Sequence, residues 1–418
     1  MTLRGILATL ALAWLGAALA EAPAAEPTLI QQSLRAREAR LSGDAKGWLE
    51  HGQATLARAP DHPDLLLSVS RAMALNGRAT EALDLLEDAI RRGARVDAAS
   101  FPEYSALAAN ERFTALAAKG RGNMQPVFPP ETFLALEDTT IDPEGITFDP
   151  DSGRLLFGSL QGGIWQADLT KQLGRFATEA SGLREVLGLK VDRKRRLLWV
   201  ATGVFPDLFA TTPKPDSGLT GVMAFDLDDG ARVRECWLDE RPVEHGFNDF
   251  ALAENGDVYV SDSPTNSIYR LPGGECRLER VIQDPHMSFP NGIALSPDGE
   301  RLYVAHVEGL SVIDLASSRR TALGVPPDTA VNSIDGLVRD GEDLIGIQPS
   351  PYLARVLRIR LDGGGMVIRE VTTVSSPPPP GVNPATGAIA GEHYYYVANV
   401  PDAQAKDQRA RILRAKLR

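Results

Sequence analysis

One pattern constrains this chain more than any other: a short strand, a tight turn and a second strand, repeated six times after residue 130. The copies are "PEGITFDPDSGRLLFGS" (143 to 159), "VLGLKVDRKRRLLWVAT" (186 to 202), "FNDFALAENGDVYVSDS" (247 to 263), "PNGIALSPDGERLYVAH" (290 to 306), "IDGLVRDGEDLIGI" (334 to 347) and "ATGAIAGEHYYYVAN" (385 to 399). A third alternating stretch follows each: "GIWQADL", "GVMAFDL", "NSIYRL", "LSVIDL", "RVLRIRL" and "RILRAKL". One such unit cannot bury its apolar face alone, so six of them, spaced by roughly 40 to 60 residues, predict an all-β six-bladed β-propeller over 131 to 418. Fourth strands follow in five blades only ("KQLGRFAT", "RVRECWLD", "CRLERVIQ", "RRTALGV", "GMVIREVTTV"), because the chain ends after the third strand of the sixth. "ETFLALED" (131 to 138) is expected to supply the missing strand and so remove an exposed edge.

Within the fourth copy, Asn291-Gly292 has the composition of a hairpin turn, yet "SPDGE" five residues later is the better turn. Aligning the six copies on the residue before Gly, or its stand-in, gives Glu144, Leu187, Asn248, Asn291, Asp335 and Thr386. The innermost strands of a propeller line its central channel, so these positions predict a ring in which Asn291 turns its amide oxygen toward the channel mouth. Two carboxylates and two carboxamides (Glu144, Asp335, Asn248, Asn291) crowded together repel and need pairing. One hard divalent cation resolves both problems, and Ca²⁺, with its several oxygen ligands, is the expected ion. Mg²⁺, Mn²⁺ and Zn²⁺ stay open, Zn²⁺ the least suited by a ring without His or Cys.

From Pro27 to Lys119 the chain changes character, with Ala, Leu, Arg and Glu at helical spacing. Gly77 splits "DLLLSVSRAMALNGRATEALDLLEDAIRRGA" into two helices, and "TLARAP" (55 to 60) recurs as "AIRRGA" (89 to 94), roughly 34 residues on. Residues 27 to 120 thus resemble a degenerate tetratricopeptide array of two or so helical hairpins, a surface for packing or for a protein partner. The proline-rich 121 to 130 reads as a linker. Residues 1 to 20 carry Arg4, an unbroken apolar run and Ala18-Leu19-Ala20, the pattern of a cleaved secretory signal. A periplasmic or secreted location without a membrane span follows. The net charge of -11 argues against nucleic acid or an anionic membrane as partner. Export would favour a bridge between Cys236 and Cys276, but the repeat places them on outer strands of neighbouring blades, where splay is expected to keep them too far apart.

These motifs carry a resemblance. Residues 131 to 418 resemble the gluconolactonase and regucalcin (senescence marker protein) family, and more distantly diisopropyl fluorophosphatase and paraoxonase. "PEGI", "FPNGIALSPDG" and "IDGL" match the family's metal-binding Glu, Asn and Asp at Glu144, Asn291 and Asp335, and "GFNDFALAENGDVYVSD" matches its third-blade motif at Asn248-Asp249. The resemblance implies a catalytic divalent metal and hydrolysis of a small-molecule lactone or ester. Asp335 or Asp249 would serve as general base and Asn248 would orient the substrate; His245, His306 and His393 are further candidates for the base. Gly246 stands where sugar-lactone members carry arginine, Thr147-Phe148 replaces the usual aromatic, and "FPDLFATTPKPDSGLT" (205 to 220) is an insertion expected over the channel mouth. A non-catalytic platform with a structural metal, binding a ligand or protein partner, is the alternative; a strictosidine-synthase-like propeller would lack the full oxygen ring.

Overall fold

Capping chemistry sets the start of the described chain. Thr28 and Gln31 form a reciprocal capping box at the head of α1 (Leu29–Ser42), and Gly43 ends the helix in the left-handed conformation at φ 79°. Asp44 caps α2 (Ala45–Arg58) through the N–H of Gly47 at 2.9 Å, and Pro63 opens α3 (Pro63–Leu75) where a missing N–H costs nothing. After α4 (Ala79–Arg91) come two 3₁₀ turns (Ala98–Ser100, Pro102–Leu107) and α5 (Glu111–Asn123), which packs Phe113, Leu116 and Ala117 against Leu83, Leu86 and Ile90. The expected break at Gly77 lies between α3 and α4, and α2 and α4 begin 34 residues apart, at Ala45 and Ala79. The computed structural model describes residues 27–206, 214–400 and 406–417. The signal-peptide reading (1 to 20) and positions 207–213 of the insertion lie outside the described residues. Among the described residues no helix is long and apolar enough to cross a membrane.

Six antiparallel four-stranded sheets follow. Blade one runs inner to outer through Pro143–Asp149, Arg154–Ser159, Ile164–Asp168 and Leu173–Ala177. The inner strands of blades two to six are Glu185–Asp192, Phe247–Leu252, Ile293–Leu295, Leu337–Asp340 and Asn383–Ala390. Glu131–Ala135 pairs antiparallel with the last strand, Arg411–Lys416, as the outermost strand of blade six, which is the closure expected from the missing strand. Apolar side chains fill the spaces between blades: Phe157, Trp165, Phe133, Tyr395 and Ile412 form one such layer between blades six and one. Both faces of a blade meet a neighbour, so middle strands such as Leu197–Gly203 and Thr220–Asp226 are buried almost without interruption.

Two features depart from expectation. Cys236 and Cys276 form a disulfide with a Cα separation of 5.3 Å. The outer strand of blade three begins only at Glu279, so Cys276 sits in the loop before it, free to reach back to Cys236 on the outer strand of blade two. The segment 121 to 130 is also anchored: α5 runs into it as far as Asn123, and Val127 exchanges two backbone hydrogen bonds with Ser376, at 2.7 and 2.8 Å.

Candidate metal centre

Glycine placement brings the ring together. A Cβ on Gly145 would lie 2.0 Å from the carbonyl oxygen of Leu187, one on Gly188 2.0 Å from that of Asn248, and one on Gly292 2.3 Å from that of Asp335. The glycine after the ring residue thus makes room for the next blade's backbone in blades one, two, four and five, and for the Tyr394 ring at Gly387 in blade six. Gly292 serves this close approach and not a turn: its φ is not positive, whereas Gly299, in "SPDGE", has φ 73° and makes the hairpin. Blade three is the exception, with Asp249 in the glycine position. Its carboxylate accepts the N–H of Ile293 from blade four at 3.2 Å. The circle closes where Thr386 Oγ1 donates to the carbonyl of Glu144 at 2.7 Å.

Glu144, Leu187, Asn248, Asn291 and Asp335 line one cavity of about 490 Å³ at the channel mouth. The polar side chains are held from behind. Asn248 Nδ2 donates to Ser263 Oγ at 3.1 Å, which leaves its Oδ1 for the cavity, and Ser263 and Ser261 in turn donate to the carbonyls of Pro290 and Asn291, both at 2.7 Å. The Asn291 amide lies beside the Asp335 carboxylate and favours its ionised form. Asn291 Oδ1 and Asp335 Oδ1 are nevertheless buried without any hydrogen-bond partner. Two orphaned oxygens aimed into one cavity are costly unless a cation meets them.

The electrostatics agree. Burial, and then the charges of Asp335 and Asp142, push the Glu144 carboxyl well above the ordinary range. Burial also raises Asp335, to about 7, against the lowering effect of the Asn291 amide and with a further push from Asp249. The one lysine lining the cavity, Lys214, is already paired with Glu185 at 2.6 Å. The donor set fits a hard divalent cation: two carboxylates and two carboxamide oxygens, with room for other oxygens in the cavity. Among the described residues no three His, Cys, Asp or Glu side chains cluster around one point, so a site made only of such ligands is not what this geometry offers.

The other sequence candidates are dispersed. Asp249 is buried below the ring, beside Lys190 at 4.0 Å, and does not line the mouth cavity. His306 is tied to Glu308 at 3.1 Å and Ser311 at 2.8 Å, and His245 to Asp262 at 2.6 Å. His393 opens its strand directly after the turn of blade six and pairs with Ala390, at the opposite end of the blade from the ring; the expectation that it shares the mouth face is corrected. Sequence reasoning missed Asp142, Gln161, Glu185 and Phe289, which line the cavity from loops or strand ends outside the aligned ring positions. Tyr394 was also missed. It lies across Gly387 and its hydroxyl is buried without a partner.

No family model matches the chain, and no curated protein matches it. Among solved structures, the calcium-binding protein regucalcin from Agrobacterium tumefaciens superposes with a TM-score of 0.48 at 18% identity, covering 70% of this chain and 97% of that one. An aldose sugar dehydrogenase from Streptomyces coelicolor in its PQQ-bound form gives 0.47 at 13%, covering 70% and 99%. A virginiamycin B lyase from Staphylococcus aureus gives 0.45 at 16%, covering 70% and 100%. Such distant likenesses span several chemistries and assign none to this chain.

Proposed function

We propose that this protein is an exported hydrolase of a small-molecule ester or lactone that depends on one divalent cation, Ca²⁺ foremost. The observation that carries the reading is the pair of buried, unpartnered oxygens on Asn291 and Asp335, beside Glu144 and Asn248, at the wall of a cavity large enough for a small molecule. Glu144, Asn248, Asn291 and Asp335 would hold the ion. A divalent cation there supplies Lewis-acid polarisation of a carbonyl and stabilises the oxyanion formed on attack by water.

The chain's own residues would do the rest. Asn248, its Nδ2 held by Ser263, would turn its Oδ1 to the ion or to a donor on the substrate. Asp142 lines the same cavity, makes no ion pair among the described residues, and has its carboxyl raised by burial, so it is placed to take the proton of the attacking water. That role moves from Asp249, which lies deeper in the channel. The disulfide suits an oxidising compartment and supports export. A panel of lactones and aryl esters, assayed with Ca²⁺ and with chelator, tests the proposal. Asp335→Ala and Asp142→Asn should each abolish metal-dependent turnover with the fold retained. Wild-type protein inert toward the whole panel would favour the platform reading with a structural metal.

A further inference from the structure

The cavity also has an apolar lining. Leu160, Leu187, Phe205, Pro206 and Phe289 line the same cavity. Phe205 and Phe289 meet edge to face, with ring centroids 6.2 Å apart at 72°. The Phe205 ring lies directly on Gly246: a Cβ there would come within 2.6 Å of Cε2 and 2.8 Å of Cδ2. The volume that a longer side chain at 246 would need is therefore occupied by an aromatic ring. The Phe205 N–H donates to Glu185 at 2.8 Å, which fixes that ring's backbone.

Phe289 is held still more tightly. Its φ is 56°, a conformation that bulky residues rarely adopt and that persists only where the surroundings over-determine it. Here they do: the Phe289 N–H donates to Asn266 Oδ1 at 3.0 Å, and the carbonyl of Ser288 accepts the N–H of Val307 at 2.9 Å. A strained phenylalanine two residues before a candidate metal ligand, in edge contact with a second aromatic, is a positioned apolar surface.

We infer that the substrate carries an extended apolar group, an alkyl chain or aromatic ring, which packs on Phe205 and Phe289 while its carbonyl faces the oxygen ligands. The inference rests on the hydrolase reading only for the position of that carbonyl. A polyhydroxylated sugar lactone would set hydroxyls against the Phe205 and Phe289 rings and lose hydration there without replacement, whereas its polar partners, Gln161, Glu185 and Lys214, lie elsewhere on the lining.

Lactams resist hydrolysis, so they test binding apart from turnover. Isothermal titration of the full chain in Ca²⁺ would compare 5-hexyl-2-pyrrolidinone, unsubstituted 2-pyrrolidinone and D-gluconolactam. The hexyl compound is expected to bind at least ten-fold tighter than either. Phe205→Ala and Phe289→Ala should each reduce that advantage to less than three-fold, and Phe205→Leu, which keeps an apolar surface, should restore most of it; thermal melts would establish that each variant is folded. Equal affinities, tighter binding of D-gluconolactam, or no binding of any lactam would overturn the inference. Turnover of γ-decalactone is scored separately: a hexyl preference without turnover would keep the apolar wall and remove the hydrolase.

Discussion

Arg58, at the end of α2, forms an ion pair at 2.9 Å with Glu308, on the turn between the second and third strands of blade four. Glu308 also accepts Ser288 Oγ at 2.7 Å and the Ser288 N–H at 2.9 Å, next to the strained Phe289. Burial opposes the ionised form, but His306 and Ser288 hold the Glu308 carboxyl down to about 2. Four residues on from Arg58, the α2–α3 corner also reaches blade five, where His62 meets Ser333 at 2.9 Å, two residues before Asp335. The helical segment therefore grips two of the loops that lead into candidate metal ligands, those before Asn291 and Asp335.

Arg58→Ala should loosen that grip. Loss of a partly buried, charge-assisted contact is expected to cost about 2 kcal/mol, read as a fall in melting temperature, together with weaker Ca²⁺ binding. Arg58→Lys should recover only part, because a single ammonium cannot reproduce the guanidinium's contacts to Pro285, Ser288 and Glu308. Unchanged metal affinity in Arg58→Ala would mean that the contact serves packing alone.

Gly292→Ala should be among the most damaging small substitutions in the propeller. The added Cβ would meet the Asp335 carbonyl oxygen at 2.3 Å and the Leu337 nitrogen at 2.4 Å, both backbone atoms of the next blade. Overpacking of this kind costs about 3 kcal/mol. Gly363→Ala, where nothing lies within 4 Å, is the control and should stay within about 0.5 kcal/mol of wild type. Chemical denaturation of the two variants side by side would read the difference.

Reduction of Cys236–Cys276 should destabilise the protein. The bond closes a loop across 40 residues, for which the chain-entropy account gives about 4 kcal/mol. Melting with and without reductant, alongside the double Cys→Ser variant, would measure it; identical curves would show that the loop of blade three is held by other contacts.

The raised carboxyls give a pH signature with a definite sign. Because Glu144 and Asp335 bind protons more tightly folded than unfolded, they disfavour folding once pH passes the ordinary carboxylate range, with the full penalty reached above about 7 for Asp335. In chelator, Asp335→Asn should therefore melt above wild type at pH 8, and by a smaller margin at pH 5. A margin independent of pH would show that Asp335 is not held protonated by its surroundings.

Much of this was legible from the residues. Period-two alternation marked the strands, and the recurrence of ring positions placed Glu144, Asn248, Asn291 and Asp335 in one register, which is the register the cavity uses. What stayed hidden lies outside the repeat. Cys276 precedes its strand, so reading it as a strand residue put it in the wrong place. Asp142, Glu185 and Phe289 come from blade connections or strand ends whose positions no periodicity marks, whereas Phe205 opens the insertion expected over the mouth. His393 was misplaced because sequence proximity to the ring says nothing about which end of a strand a residue occupies. The docking of α2 and α3 beside the loops that lead to the candidate metal ligands Asn291 and Asp335 rests on contacts such as Arg58–Glu308, 250 residues apart in the chain.

The most direct test is calorimetric titration of the metal-free protein with Ca²⁺ at pH 8, for wild type and Asp335→Asn, followed by thermal melts. One ion per chain is expected, stabilising wild type by about 2.7 kcal/mol at a hundred-fold excess over Kd. In Asp335→Asn both the binding heat and the stabilisation should be largely lost. Absence of binding by wild type, or equal binding by the variant, would contradict a metal centre built on Glu144, Asn248, Asn291 and Asp335.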